Sequence, residues 1–482
     1  MPIFNSVKNL NSVYLPSKKS IEMTLITSIS GIRGTIGGLV GQGLTPDDIV
    51  KFTAAYGNWV LSNKQNRKII IGRDARISGE IVSGIVTNTL LAMGIDVVDL
   101  GLSTTPTVEI AVPAEHAGGG IIITASHNPK QWNALKLLNH KGEFISDEVG
   151  KEILLNADNA VYEYAQVEEL GTYSQDDSYI QKHIDLILAL PLVDIDAIKK
   201  ADFSVVIDCV NSTGGISIPQ LLKALGVEKV HELYCTPDGK FPHNPEPLPE
   251  NLSLLASEVK IKNADLGIVV DPDVDRLAFV KDDGEFFGEE YTLVAIADYI
   301  LQNNKGTTVS NLSSTRALKD VTEKYGCSYF PAAVGEVNVV KKMKDEKAII
   351  GGEGNGGVIF PELHYGRDAL VGIALFLTYL AKTGKSASQL RAQYPNYYIS
   401  KNKIELKENT DLDFILSEIQ KKYKNYPVTT IDGVKIEFDN DWVHLRRSNT
   451  EPIIRIYSES KSQTTSENLA RKLMSDIKEL LQ

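Results

Sequence analysis

Leu266-Gly-Ile-Val-Val-Asp271-Pro-Asp-Val-Asp-Arg276 joins a short apolar run to three carboxylates. Leu266 to Val270 reads as a buried strand, and Pro272 rules out a helix beyond it. Asp271, Asp273 and Asp275 stand at alternate positions, so an extended chain presents them on one side. Three hard oxygen donors this close repel one another unless a cation joins them, and Mg²⁺ is the usual ion where phosphate is near. An EF-hand loop would need Gly and Glu where Arg276 and Asp282 stand. The other reading is a solvated acidic turn. Position favours a site, because the carboxyl ends of strands in α/β sheets present active-site groups.

The same strand-then-loop pattern recurs along the chain. Lys68 to Ile71, Val97 to Leu100 and Gly120 to Thr124 read as buried strands, with helices over Ile49 to Leu61 and Ile81 to Ala92 between them. It restarts near Phe203, Leu266, Thr308 and Ala348. The reading is α/β, with three similar mixed-sheet units. The last ~90 residues differ. Strands over Lys403 to Leu406, Gly433 to Phe438, Trp442 to Leu445 and Ile453 to Tyr457, then a helix from Ser466 to Leu481, predict a smaller antiparallel α+β domain. A chain of 482 residues agrees with about three or four domains. The expected division is 1–22 as a disordered N-terminal extension, then domains over 23–168, 169–282, 283–395 and 396–482.

Hydrophobic and charged shares of 43% and 23% exclude wholesale disorder, and a net charge of −12 argues against nucleic acid as partner. The three cysteines, with no CxxC pair, point to a reducing, cytoplasmic setting rather than a disulfide framework or zinc ribbon. No apolar stretch reaches the ~20 residues of a spanning helix, so no membrane partner is expected. Residues 1–22 lack the continuous apolar core of a secretory signal, and Met23 is an alternative start.

Four further segments carry candidate chemistry. Thr124-Ala-Ser-His-Asn-Pro129 puts Ser126 at a strand end, as a nucleophile or phosphoryl carrier that His127 could orient; a plain Ser/Asn turn is the alternative. Arg446-Arg-Ser-Asn-Thr450, with Arg455 beyond, suits a phosphate dianion in a loop. Gly351 to Gly357 formally contains GxGxxG, but Pro361 arrives before a helix can form, so Glu353 and Asn355 read as sugar-facing groups. Arg33 lies between glycines, and Lys136 follows Ser126 closely enough to swing back toward it. In Gly72-Arg-Asp-Ala-Arg76 the charges are expected to pair locally, and the proline-rich Thr236 to Glu250 reads as a surface connection.

Together these motifs, in this order, resemble the α-D-phosphohexomutases, which include phosphoglucomutases, phosphomannomutases and phosphoglucosamine mutases. The resemblance covers residues 23–482. It implies three related α/β domains and a smaller fourth around a central cleft. It implies that Ser126 is a phosphoserine, with Asp271, Asp273 and Asp275 holding one Mg²⁺ that a phosphoserine oxygen completes. Arg33, Lys136 and Arg276 are implied near the reacting groups, Glu353 and Asn355 at the sugar, and Arg446, Ser448, Asn449, Thr450 and Arg455 at the distal phosphate. A bisphosphorylated hexose is implied as intermediate or activator, hexose phosphates as substrates, and no protein partner. Lys136 is expected to move the acceptor's proton, which requires a lowered pKa.

The chain departs from the common pattern in three places. The sugar loop reads Glu353-Gly-Asn355-Gly-Gly357 rather than Glu-x-Ser-Gly-His, and His364 is a possible substitute for the missing histidine. Asn133-Ala-Leu-Lys136 replaces Asn-Gly-x-Lys, and Val334-Gly-Glu336-Val337 lacks the Lys that often follows. These variants look most like phosphoglucosamine mutases, with glucose or mannose phosphate as the alternative substrates and a non-catalytic sugar-phosphate-binding protein as a further alternative.

Overall fold

The Ile- and Val-rich runs become the inner strands of four successive sheets. The computed structural model describes residues 23–28, 31–63, 65–406, 410–448 and 453–481; the expected extension 1–22 lies outside them. The first sheet contains β1 (Ile26–Ser28), β2 (Gly31–Thr35), β3 (Lys68–Arg73), β4 (Asp96–Leu102), β5 (Gly119–Ile123), β6 (Trp132–Leu138) and β7 (Tyr173–Gln175). The second contains β8 (Ser204–Asp208), β9 (Lys229–Leu233), β10 (Leu266–Val270) and β11 (Leu277–Lys281). The third contains β12 (Thr308–Asn311), β13 (Tyr329–Ala332), β14 (Ile350–Glu353) and β15 (Gly357–Ile359). The fourth is antiparallel: β16 (Tyr398–Glu405), β17 (Val428–Thr429), β18 (Val434–Glu437), β19 (Trp442–Arg447) and β20 (Ile453–Ser460), backed by the helix Gln463–Leu480.

The first three sheets share one plan. In the first, β3 runs parallel to β4 and β5, and β5 turns back antiparallel into β6. In the second, β8 pairs in the same way with β9 and β10, and β10 returns as β11. In the third, β12 pairs with β13 and β14, and β14 returns as β15. The restarting sequence pattern is therefore a threefold structural repeat. The three returning hairpins carry Ser126 and the aspartates in their turns and Glu353 at the last residue of β14, at equivalent places in the repeat. Every residue of β5 and β10 is buried, as expected of strands covered on both faces.

The first sheet extends past the expected boundary at 168, because β7 pairs with β4. The second and third units share one core, in which Phe279 stacks on Phe376 with ring centroids 3.9 Å apart. Phe376 belongs to the helix Ala369–Thr383, buried along most of its length. The fourth unit has a separate core around Ile436, Leu445, Ile456 and Leu473. Among the described residues no helix is long and apolar enough to cross a membrane.

Candidate active site

The turn after β5 is held in shape from outside itself. Thr124 Oγ1 donates to Asp74 Oδ2 at 2.6 Å and accepts from the Ser126 amide at 2.9 Å. Ser126 has φ +48°, a left-handed conformation that a non-glycine residue adopts only when held. The hold comes from Arg76, buried at 1% exposure. Its Nε donates to Asp74 Oδ2 at 3.0 Å, and its other nitrogens donate to the carbonyls of Ser126, Asn128, Pro129 and Trp132. The pairing expected of Arg73 with Asp74 is made by Arg76 instead, while Arg73 Nη1 reaches only the Asp74 carbonyl at 3.4 Å, and the Arg76–Asp74 pair also fixes the serine loop. Ser126 Oγ donates to Asp271 Oδ2 at 2.7 Å and lies 3.3 Å from His127 Nδ1.

The aspartate turn between β10 and β11 is strained as well. Val274, β-branched and buried, has φ +63°, a conformation costing about 1–3 kcal/mol. Asp271 Oδ1 accepts the amides of Asp275 and Arg276 at 3.2 and 3.1 Å. The carbonyls of Pro272, Asp273 and Val274 accept from Ser212 and Thr213, from the Thr105 amide, and from the Ala369 amide. All three α/β units therefore grip this loop.

The three carboxylates converge, fully buried, with one oxygen of each within 4.8 Å of the others. Asp273 Oδ2 accepts from Thr105 Oγ1 and from Lys136 Nζ, both at 2.6 Å. Asp275 Oδ2 accepts from Arg367 Nη2 at 2.7 Å and lies 3.4 Å from Lys136 Nζ. Asp273 Oδ1 and Asp275 Oδ1 are buried with no hydrogen-bond partner among the described residues. Two orphaned carboxylate oxygens beside a third that faces a hydroxyl form a donor set suited to a hard cation such as Mg²⁺.

Burial, then Asp275 and Asp273, push Asp271 well above the usual carboxylate range. For Asp273 burial acts in the same direction, but Lys136 and Thr105 outweigh it and hold the carboxyl below that range. The expected lowering for Lys136 is not found. Burial disfavours its charge, yet Asp273 and Asp275 raise its pKa, so it stands as a fixed cation. His127 is pushed well down by burial and by Arg276 and Arg33, which leaves its imidazole neutral. Arg33 lies on β2 opposite Ala134 of β6, where the charge of Asp273 reaches it.

The sugar-loop residues occupy the turn between β14 and β15. Glu353 Oε1 accepts from Asn311 Nδ2 at 2.8 Å and from the Gly335 amide at 3.1 Å; Oε2 accepts from Arg367 Nη1 at 3.0 Å. Although burial opposes its charge, Arg367 and Asn311 hold its pKa below the usual range. Asn355 lies beside it, Nδ2 3.5 Å from Glu353 Oε2, and its Oδ1 accepts the Gly357 amide. The proline-rich segment is more than a surface connection, for Glu246 pairs with Arg276 at 3.1 Å and Phe241 lies against the Arg76 guanidinium.

His364 does not join the sugar loop. Its Nε2 lies 3.3 Å from Asp368 Oδ2 and its Nδ1 3.4 Å from Glu109 Oε2. His183 Nε2 meets the same Asp368 oxygen at 2.9 Å, and its Nδ1 meets Thr107 Oγ1 at 3.0 Å. Both histidines thus close on one carboxylate beneath the aspartate turn.

The phosphate-clamp candidates divide. Arg446 lies in β19 and Arg455 in β20, directly opposite across the sheet, rather than in a loop. Like charges so placed destabilise a sheet unless an anion joins them. Burial and Arg455 lower the Arg446 pKa, against the pull of Asp432. Ser448 follows β19, its amide donating to the Ile453 carbonyl, while Asn449 and Thr450 lie outside the described residues. This unit docks on the third through His444 Nδ1 to Ser313 Oγ at 2.9 Å, Lys435 Nζ to the Leu312 carbonyl at 2.9 Å, and Asp432 Oδ2 to the Val334 amide at 3.0 Å.

Sequence reasoning missed Arg76, Thr105, Glu246 and Arg367 as site residues. Two of them had a visible signal: Arg76 in the charged segment Gly72 to Arg76, and Arg367 beside Asp368 just after the sugar loop.

Four family descriptions match in order. Phosphoglucomutase/phosphomannomutase alpha/beta/alpha domains I, II and III match residues 25–162, 179–284 and 288–398, and the C-terminal domain matches 403–475. The chain is 36% identical to a phosphoglucomutase/phosphomannomutase of Thermococcus kodakarensis, over 89% of this chain and 94% of that one. It is 33% identical to a probable phosphoglucosamine mutase of Methanopyrus kandleri, over 91% and 95%. A crystal structure of a phosphoglucomutase/phosphomannomutase family protein from Burkholderia thailandensis superposes with a TM-score of 0.80 at 27% identity, over 95% of this chain and 98% of that one.

Proposed function

We propose that this chain, which belongs to the phosphoglucomutase/phosphomannomutase family and is an intramolecular phosphotransferase acting on hexose phosphates, interconverts glucosamine 6-phosphate and glucosamine 1-phosphate through phospho-Ser126. The observation that carries the carrier role is Ser126 Oγ at 2.7 Å from Asp271 Oδ2, beside the two orphaned aspartate oxygens. A phosphoserine there adds about −1.5 to −2 to three carboxylates. Mg²⁺ held by Asp271, Asp273, Asp275 and a phosphoserine oxygen would neutralise charge on the transferring group.

The chain's own residues do the rest. Arg76 and Asp74 hold the serine in its left-handed turn. The phosphoryl group leaves Ser126 Oγ for the free hydroxyl of the bound hexose phosphate, giving a bisphosphate. Lys136 and Arg33 are the cations on the transferring oxygens. Neutral His127, 3.3 Å from Ser126 Oγ, relays the acceptor hydroxyl's proton to the serine oxygen as the phosphoryl group leaves it, so that the imidazole ends neutral. The bisphosphate turns, and its other phosphate returns to Ser126. Arg446, Ser448, Asn449, Thr450 and Arg455 hold whichever phosphate is distal, and closure of the fourth unit excludes water.

The choice of an amino sugar rests on resemblance: the Glu353-Gly-Asn355-Gly-Gly357 loop looks most like phosphoglucosamine mutases, and the relative from Methanopyrus is named a probable one. The name of the relative from Thermococcus favours glucose or mannose phosphate as the second reading. The unpaired cysteines suit a cytoplasmic enzyme. Assay of the purified protein with each sugar phosphate tests the choice. Turnover of glucosamine 6-phosphate above the others is expected; turnover of mannose 1-phosphate with glucosamine 6-phosphate inert contradicts it. Ser126→Ala is expected to abolish interconversion, and full activity in that variant would remove the carrier.

A further inference from the structure

We propose that Arg367 is a positioning residue that locks the sugar-selecting loop to the metal loop, its side chain filling the space above Gly357. This deepens the reading of Glu353 to Gly357 as the sugar loop and rests on it. The guanidinium spends its donors on three carboxylates from three separate segments: Nη2 to Asp275 at 2.7 Å, Nε to Glu336 at 3.0 Å, and Nη1 to Glu353 at 3.0 Å. Its backbone is fixed too, by its amide donating to Glu336 Oε1 at 2.9 Å and a bridge to Ile359 at the end of β15. At 8% exposure it is nearly enclosed.

This arrangement has two consequences. Arg367 occupies Asp275 Oδ2, which leaves Oδ1 as the orphaned oxygen of that carboxylate. It also occupies Glu353 Oε2, while Asn311 and Gly335 occupy Oε1, so the sugar-facing carboxylate has one fixed orientation. Lysine cannot reproduce this, because a single ammonium lacks the planar fork that serves three acceptors at fixed angles.

Gly357 shows the same dependence from the other side. Its φ is ordinary, so backbone conformation does not demand glycine. Space does: a Cβ there would collide with Arg367 Cδ and lie 3.1 Å from its Cγ. A side chain at 357 and an arginine at 367 therefore exclude one another. The cation of this sugar loop comes from Arg367 rather than from the loop itself.

The test uses the full-length enzyme with Arg367→Gln, Arg367→Lys, Gly357→His and the Gly357→His/Arg367→Ala double variant. The readouts are kcat and KM for each hexose phosphate, Mg²⁺ binding by calorimetric titration, and Tm. Arg367→Gln is expected to weaken Mg²⁺ binding by roughly 10-fold and lower kcat by about 10–100-fold, as for groups that orient metal ligands. Arg367→Lys should recover Tm but not kcat, which separates positioning from simple stabilisation. Gly357→His alone should lose activity, and the double variant should regain at least about tenfold over it, because removing the arginine frees the space. Wild-type kcat, KM and Mg²⁺ affinity in Arg367→Gln or Arg367→Lys would overturn the proposal, as would a double variant no better than Gly357→His. If one variant does not fold, the others still decide. Failure of the sugar-loop reading itself would look different: Mg²⁺ affinity would fall in Arg367→Gln, while Glu353→Gln left every hexose phosphate turned over as before.

Discussion

The turn between β10 and β11 and the turn between β14 and β15 occupy equivalent places in two sheets of one topology, yet they face opposite charge problems. The first gathers three carboxylates and must import cations: Lys136 from the first unit and Arg367 from the third, around a donor set that could hold a metal ion. The second has a single carboxylate, Glu353, already answered by an amide side chain, a backbone N–H and Arg367. The common hairpin supplies position only. Chemistry is assigned by the groups packed against it: the aspartate turn draws on the first and third units, the Glu353 turn on its own unit, and Arg367 reaches both.

The largest effect should come from breaking the crowded turn. Asp273→Asn removes a ligand oxygen and leaves Lys136 with one distant partner. Activity should fall to background, and breaking a buried ion pair should cost about 3–5 kcal/mol of stability, read by denaturant unfolding. Glu353→Gln should be milder for stability, because the amide oxygen can still accept from Asn311 and Gly335; kcat/KM should fall while Tm holds. If the stability order of these two variants were reversed, the contrast between the turns would be wrong.

A subtler change sharpens the same contrast. Thr105→Val deletes the hydroxyl on Asp273 Oδ2 without changing side-chain shape, and should weaken Mg²⁺ binding by roughly 10–100-fold with sugar KM unchanged. The smallest expected effect on turnover belongs to Glu290, packed beneath the sugar turn against Gly354, its Oε2 accepting the Thr315 amide at 2.8 Å. Burial pushes its pKa up to about 8. The native state thus keeps a proton that the unfolded chain releases, so stability is full below the ordinary carboxylate range and falls as pH rises toward about 8. Glu290→Gln should flatten the decline of Tm between about pH 5 and 8, measured by thermal scans. An unchanged slope would mean that Glu290 is ionised in the folded chain.

Local pattern was enough to place the strands, the aspartate turn, the serine turn and the antiparallel last unit, because each is written in a few consecutive residues. Arg367 stands 92 residues from Asp275 and Thr105 168 residues from Asp273, separations at which periodicity carries no information. The threefold repeat was suspected but not demonstrable, since it lives in strand order rather than residue identity. The charge of Lys136 is hidden from local pattern for a related reason. Its position near the serine was readable, but its charge depends on two aspartates from another sheet, which hold it as a cation.

The account stands or falls on a covalent phosphate at Ser126. Rapid-quench mixing of the enzyme with hexose bisphosphate carrying a labelled phosphate, followed by peptide mass spectrometry and a chase with unlabelled hexose monophosphate, tests it directly. The prediction is one labelled phosphoryl group on the peptide containing Ser126, formed fast enough for turnover and lost to the sugar on the chase. Label passing from sugar to sugar without appearing on that peptide would contradict the account.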